Sequence, residues 1–223
     1  MKERDFFVLQ EIAKQGNIKY INLVQKGDFA VAESSNGYCY LRTAEKNIKP
    51  FKEGFFDFTG RFVPDDVRLP QGYEILSLLG KKIGTYVFTE PYEISIGKKG
   101  EFFVTFKRFE LLDFMKRYLS GWRTMDADKY QLIFHKRFDL WSIRGYANNR
   151  VFEKKITTFK DNISETSFNF CVNPHTFRLI LKWFEGDNIT LNFRTGNHEL
   201  RTPIFFEEDY KLAVLMPIAR KTK

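Results

Sequence analysis

Catalysis or metal binding would need histidines, cysteines or carboxylates at set spacings, and this chain offers few. His135, His175 and His198 have no metal-type spacing to one another or to the two cysteines, Cys39 and Cys171. His175 sits near a helix start. Asp126 and Asp128 form an Asp-Ala-Asp pair, and Asp65-Asp66 and Glu207-Glu208-Asp209 are further acidic runs. Paired carboxylates can hold a divalent cation. All three runs fall in loop-like stretches and read as solvated loop charge. A metal-dependent enzyme built on Asp126 and Asp128 would lack a His or Glu constellation beside them. The chain has no nucleophile elbow, no phosphate-cradling loop ending in Gly-Lys-Ser/Thr and no Rossmann glycine pattern. Gly97-Lys98-Lys99-Gly100 reads as a hairpin turn. No catalytic residue, metal or cofactor is expected, and the chain reads as a non-enzyme.

The residues that could do something are basic. The formal net charge is +8. That suits a polyanionic partner such as nucleic acid, and equally a soluble protein that is merely basic. Lys14, Lys81, Lys82, Arg108, Lys116, Arg117, Arg123, Arg178 and Lys182 all lie on or beside four expected helices, off their apolar stripes. Four such strips on one side of a sheet-backed body would make a surface for phosphates without reading bases. The competing reading is ordinary solvated helix faces, balanced by Glu11, Glu74, Asp113 and Glu185.

Four helices must position these cations. The first spans 5–16, capped by Asp5 and stopped by Gly16, with Leu9, Ile12 and Ala13 apolar. Tyr73–Leu79 is the second. The third, Glu110–Ser120, has Leu111, Leu112, Met115, Tyr118 and Leu119 on one stripe. The fourth follows Asn173-Pro174, a helix N-cap and first-position pair, and ends at Gly186. Its Phe177, Ile180, Leu181 and Phe184 recur at i, i+3, i+4 and i+7, one buried stripe. His175, Arg178 and Lys182 share the opposite face.

Strands separate the helices. Ile18–Val24, Phe29–Glu33, Tyr38–Thr43 and Gly54–Phe58 come first, with turns at Lys26-Gly27-Asp28 and Ser35-Asn36-Gly37. Thr85–Thr89, Tyr92–Ile96 and Glu101–Lys107 follow the second helix, and residues 59–72 read as a loop. Then come Tyr130–His135, Phe138–Arg144, Val151–Thr158 and Phe168–Val172, and after the last helix Ile189–Arg194, Leu200–Phe205 and Leu212–Met216. Helix and strands repeat twice, with a domain boundary near 107–108, dividing the chain into 1–107 and 108–223. With 25 Phe and 10 Tyr, the composition can fill an α+β core. Both cysteines lie in apolar strand patterns and read as buried thiols in a reducing compartment. No apolar run reaches the length of a membrane span, and the N-terminus lacks the apolar stretch of a signal peptide. The protein reads as intracellular, with no membrane partner.

Phe168–Gly186, then Asp187–Phe193 and Tyr210–Arg220, resemble the last domain of bacterial DNA polymerase III β clamps. The shared features are an Asn-Pro-led helix, a Gly-Asp turn into a strand and a C-terminal apolar strand ending in Met-Pro. The length, the two-domain division and the order of elements in 5–58 resemble the phage-type sliding clamps of T-even viruses. The resemblance is sharp over 108–220 and loose over 60–107. It implies the DNA-clamp fold: two similar domains, each with two helices packed on antiparallel sheets. It further implies a homotrimeric ring around double-stranded DNA. Such a ring holds a DNA polymerase, is opened by a clamp-loader ATPase, and works in the cytoplasm of a bacterial or phage-infected cell. A monomeric clamp-like factor that binds DNA directly is the alternative. The bacterial clamps hold partner peptides with a Thr-Asp-Gly-His turn and the C-terminal strand. Ser35, Gly37 and Tyr38 resemble that turn, with Tyr40 beyond it, and Val214, Met216 and Pro217 match the strand. Tyr38 stands where the family has His, and the chain runs on past Met-Pro.

Overall fold

The computed structural model describes residues 2–15, 20–46, 51–63, 102–119, 131–147, 150–193 and 203–218. The expected helix at 73–79, the strands at 85–89 and 92–96, and the residues Asp65, Asp66, Lys81, Lys82, Arg123, Asp126, Asp128 and His198 lie outside them. The described chain forms two compact units. One runs up to Lys99 and takes in Glu207–Val214; the other runs from Gly100 to Phe206 and resumes at Leu215.

In the first unit, helix α1 (Glu3–Gln15) buries Val8, Leu9, Ile12 and Ala13. Asp5 is not its cap. The helix begins two residues earlier, and Asp5 is buried in its first turn, where its carboxylate pairs with Lys211 Nζ at 3.2 Å. Strands β1 (Tyr20–Lys26), β2 (Phe29–Ser35) and β3 (Cys39–Lys46) form an antiparallel meander, with Ile21 opposite Ser34 and Ser34 opposite Leu41. Gly37 turns the second hairpin at φ +88, a conformation that β-carbon sterics deny most residues. β4 (Gly54–Asp57) pairs with β1, and β5 (Phe62–Val63) with β4. On the other side of β3 lies β14 (Lys211–Leu215), preceded by a bond from the Ala44 N–H to the Tyr210 carbonyl. That pairing puts the 207–214 segment in the first unit.

The second unit holds two antiparallel sheets. One has the order β10 (Thr158–Asp161), β6 (Phe102–Lys107), β12 (Asn188–Phe193), β13 (Ile204–Glu208). The other runs β11 (Ser167–Val172), β7 (Gln131–Arg137), β8 (Leu140–Ala147), β9 (Arg150–Ile156). Aromatic rings join the sheets. Phe106 of β6 lies 5.7 Å from Phe134 and 5.4 Å from Trp141, and Phe193 of β12 lies 5.3 Å from Phe168, centroid to centroid. Large rings with edge-to-face contacts make the core and account for the Phe-rich composition.

Three local expectations need correction. Phe138 does not begin β8; it takes φ +51 in the turn before it. The strand read over Val151–Thr158 is two, β9 and β10, in different sheets. Thr157 separates them and donates its N–H to the Glu110 carboxylate at 3.0 Å. β10 is held from below by a buried ion pair: Lys136 Nζ meets Asp161 at 3.0 Å and also donates to the Ile163 carbonyl, and Trp141 Nε1 donates to the same carboxylate at 2.9 Å. The last expected strand before the final hairpin, Leu200–Phe205, is observed at Ile204–Glu208.

Candidate nucleic-acid interface

Helix α2 (Arg108–Leu119) follows β6 directly. It buries Leu111, Phe114, Met115 and Tyr118, at i, i+3, i+4 and i+7. Phe114 belongs to the stripe, while Leu112 is only half-buried, which rotates the face from the one read in the sequence. Tyr118 packs on Gly145 of β8 so closely that a β-carbon there would lie 2.5 Å from its ring. Among its described side chains α2 leaves Phe109, Lys116 and Arg117 exposed; Leu119, expected on the stripe, lies outside them.

Helix α3 (Pro174–Trp183) is capped by Asn173, whose side-chain oxygen accepts from the N–H groups of His175 at 2.9 Å and Thr176 at 3.2 Å. Pro174 takes the first helical position, so the donor it lacks is one the helix could not pair anyway. Phe177, Ile180, Leu181 and Phe184 are all buried, with Trp183. The helix does not run to Gly186: the chain turns extended at Phe184, whose N–H still reaches the Ile180 carbonyl. Lys182 is exposed, and Arg178 and His175 are half-buried. Burial, and then the neighbouring Arg178 charge, push the His175 pKa below its ordinary value. His175 therefore adds no positive charge at neutral pH.

Arg108 occupies a position its sequence context did not disclose. Its guanidinium donates to the carbonyls of Leu181 at 3.1 Å, Glu185 at 3.1 Å and Gly186 at 2.5 Å. The Leu181 carbonyl belongs to the last turn of α3 and the other two to the turn that follows it, and a cation there also meets the negative end of the helix dipole. The two partners are more than seventy residues apart in sequence. They meet because β6 pairs with β12, setting Lys107 opposite Asn188, and Arg108 N–H bonds the Asp187 carbonyl.

Of the other expected cations, Lys14 is exposed on α1 and pairs with Glu11 at 2.6 Å, and Arg117 pairs with Asp113 at 3.0 Å. Both are single-turn surface pairs, worth a few tenths of a kcal/mol and easily exchanged. α2 packs against α3. Between them, Lys116, Arg117, Arg178 and Lys182 lie off the buried stripes, with Lys107 just before α2.

The expected peptide-contact residues divide. Ser35 is buried, and its hydroxyl accepts from Gly37 N–H at 3.1 Å. Tyr38 stands 67% exposed at the hairpin tip. Tyr40 is fully buried and donates to Glu33 Oε1 at 2.9 Å. Val214 is buried in β14 beside β3 in the first unit, whereas Met216 and Pro217 are half-buried and belong to the second. Among the described residues there is no group of three or more His, Cys, Asp or Glu that could hold a metal ion. None of the described helices is long and apolar enough to cross a membrane.

No protein-family model matches the sequence, and no curated protein does. Solved structures do. The chain superposes on a DNA polymerase sliding clamp from Pseudomonas aeruginosa with a TM-score of 0.62 at 10% identity, covering 96% of this chain and 64% of that one. A β sliding clamp from Caulobacter crescentus gives 0.64 at 7%, covering 97% and 63%, and the DNA polymerase III β subunit of Thermotoga maritima gives 0.58 at 13%, covering 96% and 63%. This chain has the sliding-clamp fold. It spans less than two thirds of the length of the clamps it matches. That fold accounts for antiparallel sheets accompanied by a few helices among the described residues. It also makes α2 and α3 elements of a shared architecture rather than incidental surface helices.

Proposed function

We propose that this protein is a DNA sliding clamp, a non-enzymatic processivity factor that holds a DNA polymerase on double-stranded DNA. The observation that carries this reading is the pair α2 and α3. Both bury an apolar stripe, and both leave Lys116, Arg117 and Lys182 exposed on a clamp fold. Lys14, Arg178 and, outside the described residues, Lys81, Lys82 and Arg123 complete the proposed phosphate-facing set. Arg108 belongs to it by sequence position, although its guanidinium is bonded to three carbonyls of the α3 end. Phosphate contacts carry no sequence information, so the protein can slide.

The proposed assembly is a homotrimer of two-domain chains, 1–107 and 108–223, opened by a clamp-loader ATPase in the cytoplasm of a bacterial or phage-infected cell. β9 supports such self-association. It ends its sheet, with β8 on one side and no strand on the other among the described residues, and Val151 on it is 56% exposed. An open strand edge is a template for pairing with another chain. Partner peptides from polymerase and loader are proposed to contact Ser35, Gly37, Tyr38, Tyr40, Val214, Met216 and Pro217. Of these Gly37 and Tyr38 are exposed, Tyr38 presenting a large ring at the hairpin tip.

The test is retention on circular duplex DNA after loading. Arg117→Glu with Lys182→Glu should shorten retention about tenfold or more while leaving the melting temperature unchanged. Unchanged retention would remove the basic faces from the mechanism. The net charge of +8 favours a second reading, a monomeric clamp-like factor that binds DNA without a ring. Solution mass separates the two: a trimer supports the ring, and a strict monomer at micromolar concentration with loader-independent binding to linear DNA supports the second.

A further inference from the structure

Two exposed phenylalanines stand on the helix faces assigned to DNA. Phe109, in the first turn of α2, is 61% exposed, and Phe7 on α1 is 55% exposed. Each precedes an exposed lysine by seven residues: Lys116 after Phe109, Lys14 after Phe7. Seven residues are nearly two helical turns, so ring and ammonium share a face, about 10 Å apart along the axis. The first helix of each unit thus carries the same Phe–Lys arrangement, and the stripe residues on its opposite face are buried. Phosphate binding alone has no use for an exposed ring. Lys107 Nζ stands 6.0 Å from the Phe109 ring centroid, so the ring has one cation close to it and a second, Lys116, about two turns along the same helix face.

Rings alternating with cations are how proteins hold single strands: a base stacks on the ring while the phosphates meet the cations. A duplex offers only stacked, paired bases to a helix lying on its backbone, and gives such a ring nothing to stack on. We infer that the Phe109–Lys116 face, and in the same manner the Phe7–Lys14 face, binds unpaired bases of single-stranded DNA in addition to duplex phosphates. The inference deepens the clamp reading and rests on it. The charge balance supports that occupant on the second unit, where Lys107, Arg108, Lys116, Arg117, Arg178 and Lys182 outnumber Glu110, Asp113, Glu185 and Asp187 on or beside α2 and α3.

The experiment is equilibrium binding of the full chain to labelled oligo(dT) and to a duplex of equal length, by fluorescence anisotropy at low salt. Phe109→Ala should weaken oligo(dT) binding by about fivefold or more, with duplex affinity within about twofold of the parent. Phe109→Trp should restore the affinity, and its emission should quench on oligo(dT). Lys116→Gln should weaken both ligands. If the parent binds duplex but not oligo(dT), or Phe109→Ala weakens both equally or neither, this inference is overturned and the clamp reading stands. If the parent binds neither ligand and is not retained after loading, the clamp reading itself fails.

Discussion

At the scale of single residues, two charged groups do work that their types alone do not reveal. Glu33 is 1% exposed on β2. Its Oε1 accepts from Tyr40, while Oε2 has no hydrogen-bond partner. Asn22, opposite it on β1, leaves its own amide nitrogen unpartnered. Burial pushes the Glu33 pKa above its ordinary 4.5, against the opposing pull of Tyr40, Lys26, Arg42 and the Asn22 amide. Between the unfolded and folded values the native state binds more protons than the unfolded chain, so stability falls as pH rises through that window. Glu33→Gln keeps the acceptor for Tyr40 and removes the charge. It should raise the melting temperature at pH 7 and flatten the decline above pH 4.5, as read by calorimetry across pH. A lower melting temperature at pH 7 would show that the ionised carboxylate is stabilising.

Arg108 makes the complementary case. It is a cation read in the sequence as one of a phosphate-facing set and found bonded to carbonyls at and just beyond the end of α3. Arg108→Ala removes three hydrogen bonds to carbonyls and the cation at the α3 end, and should cost about 2–3 kcal/mol in a denaturant titration. Arg108→Lys should recover only part of that, since an ammonium lacks the planar fork that reaches all three acceptors.

At the scale of elements, the periodic signals were the legible ones. The stripe of α3 and its Asn-Pro start follow from residue types alone, because capping and 3.6-residue periodicity are local physics. The α2 stripe was legible only approximately. Leu112 and Phe114 are both apolar, and tertiary packing selects between them: the face that meets the sheets is fixed by Tyr118 lying over Gly145. Gly145→Ala would force that buried ring off its site. We expect a loss of about 1–3 kcal/mol, measured by chemical denaturation, with no change in oligomeric state. Stability equal to the parent would mean the ring has room to move. The division of Val151–Thr158 into β9 and β10 had no local signal, because Glu110 reaches Thr157 from another element.

At the scale of the whole molecule, the proposed phosphate contacts give a salt dependence. The logarithm of DNA affinity should fall linearly with the logarithm of salt concentration, and each phosphate-contacting lysine removed should lower the slope by about 0.9. Lys116→Gln with Lys182→Gln should therefore reduce the slope by about 2 in a filter-retention series. An unaltered slope with weaker binding would place these lysines away from phosphate.

The sequence by itself determined the α+β class, the Asn-Pro start and buried stripe of the helix that opens at Pro174, the hairpins at Gly27 and Gly37, and the scarcity of catalytic motifs. Each depends on residue type and short-range periodicity, which a chain carries whether folded or not. It also supplied the loose pattern that resembled sliding clamps. Only the tertiary structure decided that Arg108 ends α3, that Glu33 is sealed with an unpartnered oxygen, that the 207–214 segment joins the first unit, and that Phe7 and Phe109 remain exposed beside lysines. The placing of Arg108 and of the 207–214 segment depends on contacts between residues tens of positions apart, and the burial of Glu33 and the exposure of the two rings on how whole elements pack. Burial and hydrogen bonding there are set by which strands pair, and no local pattern in the chain encodes that pairing.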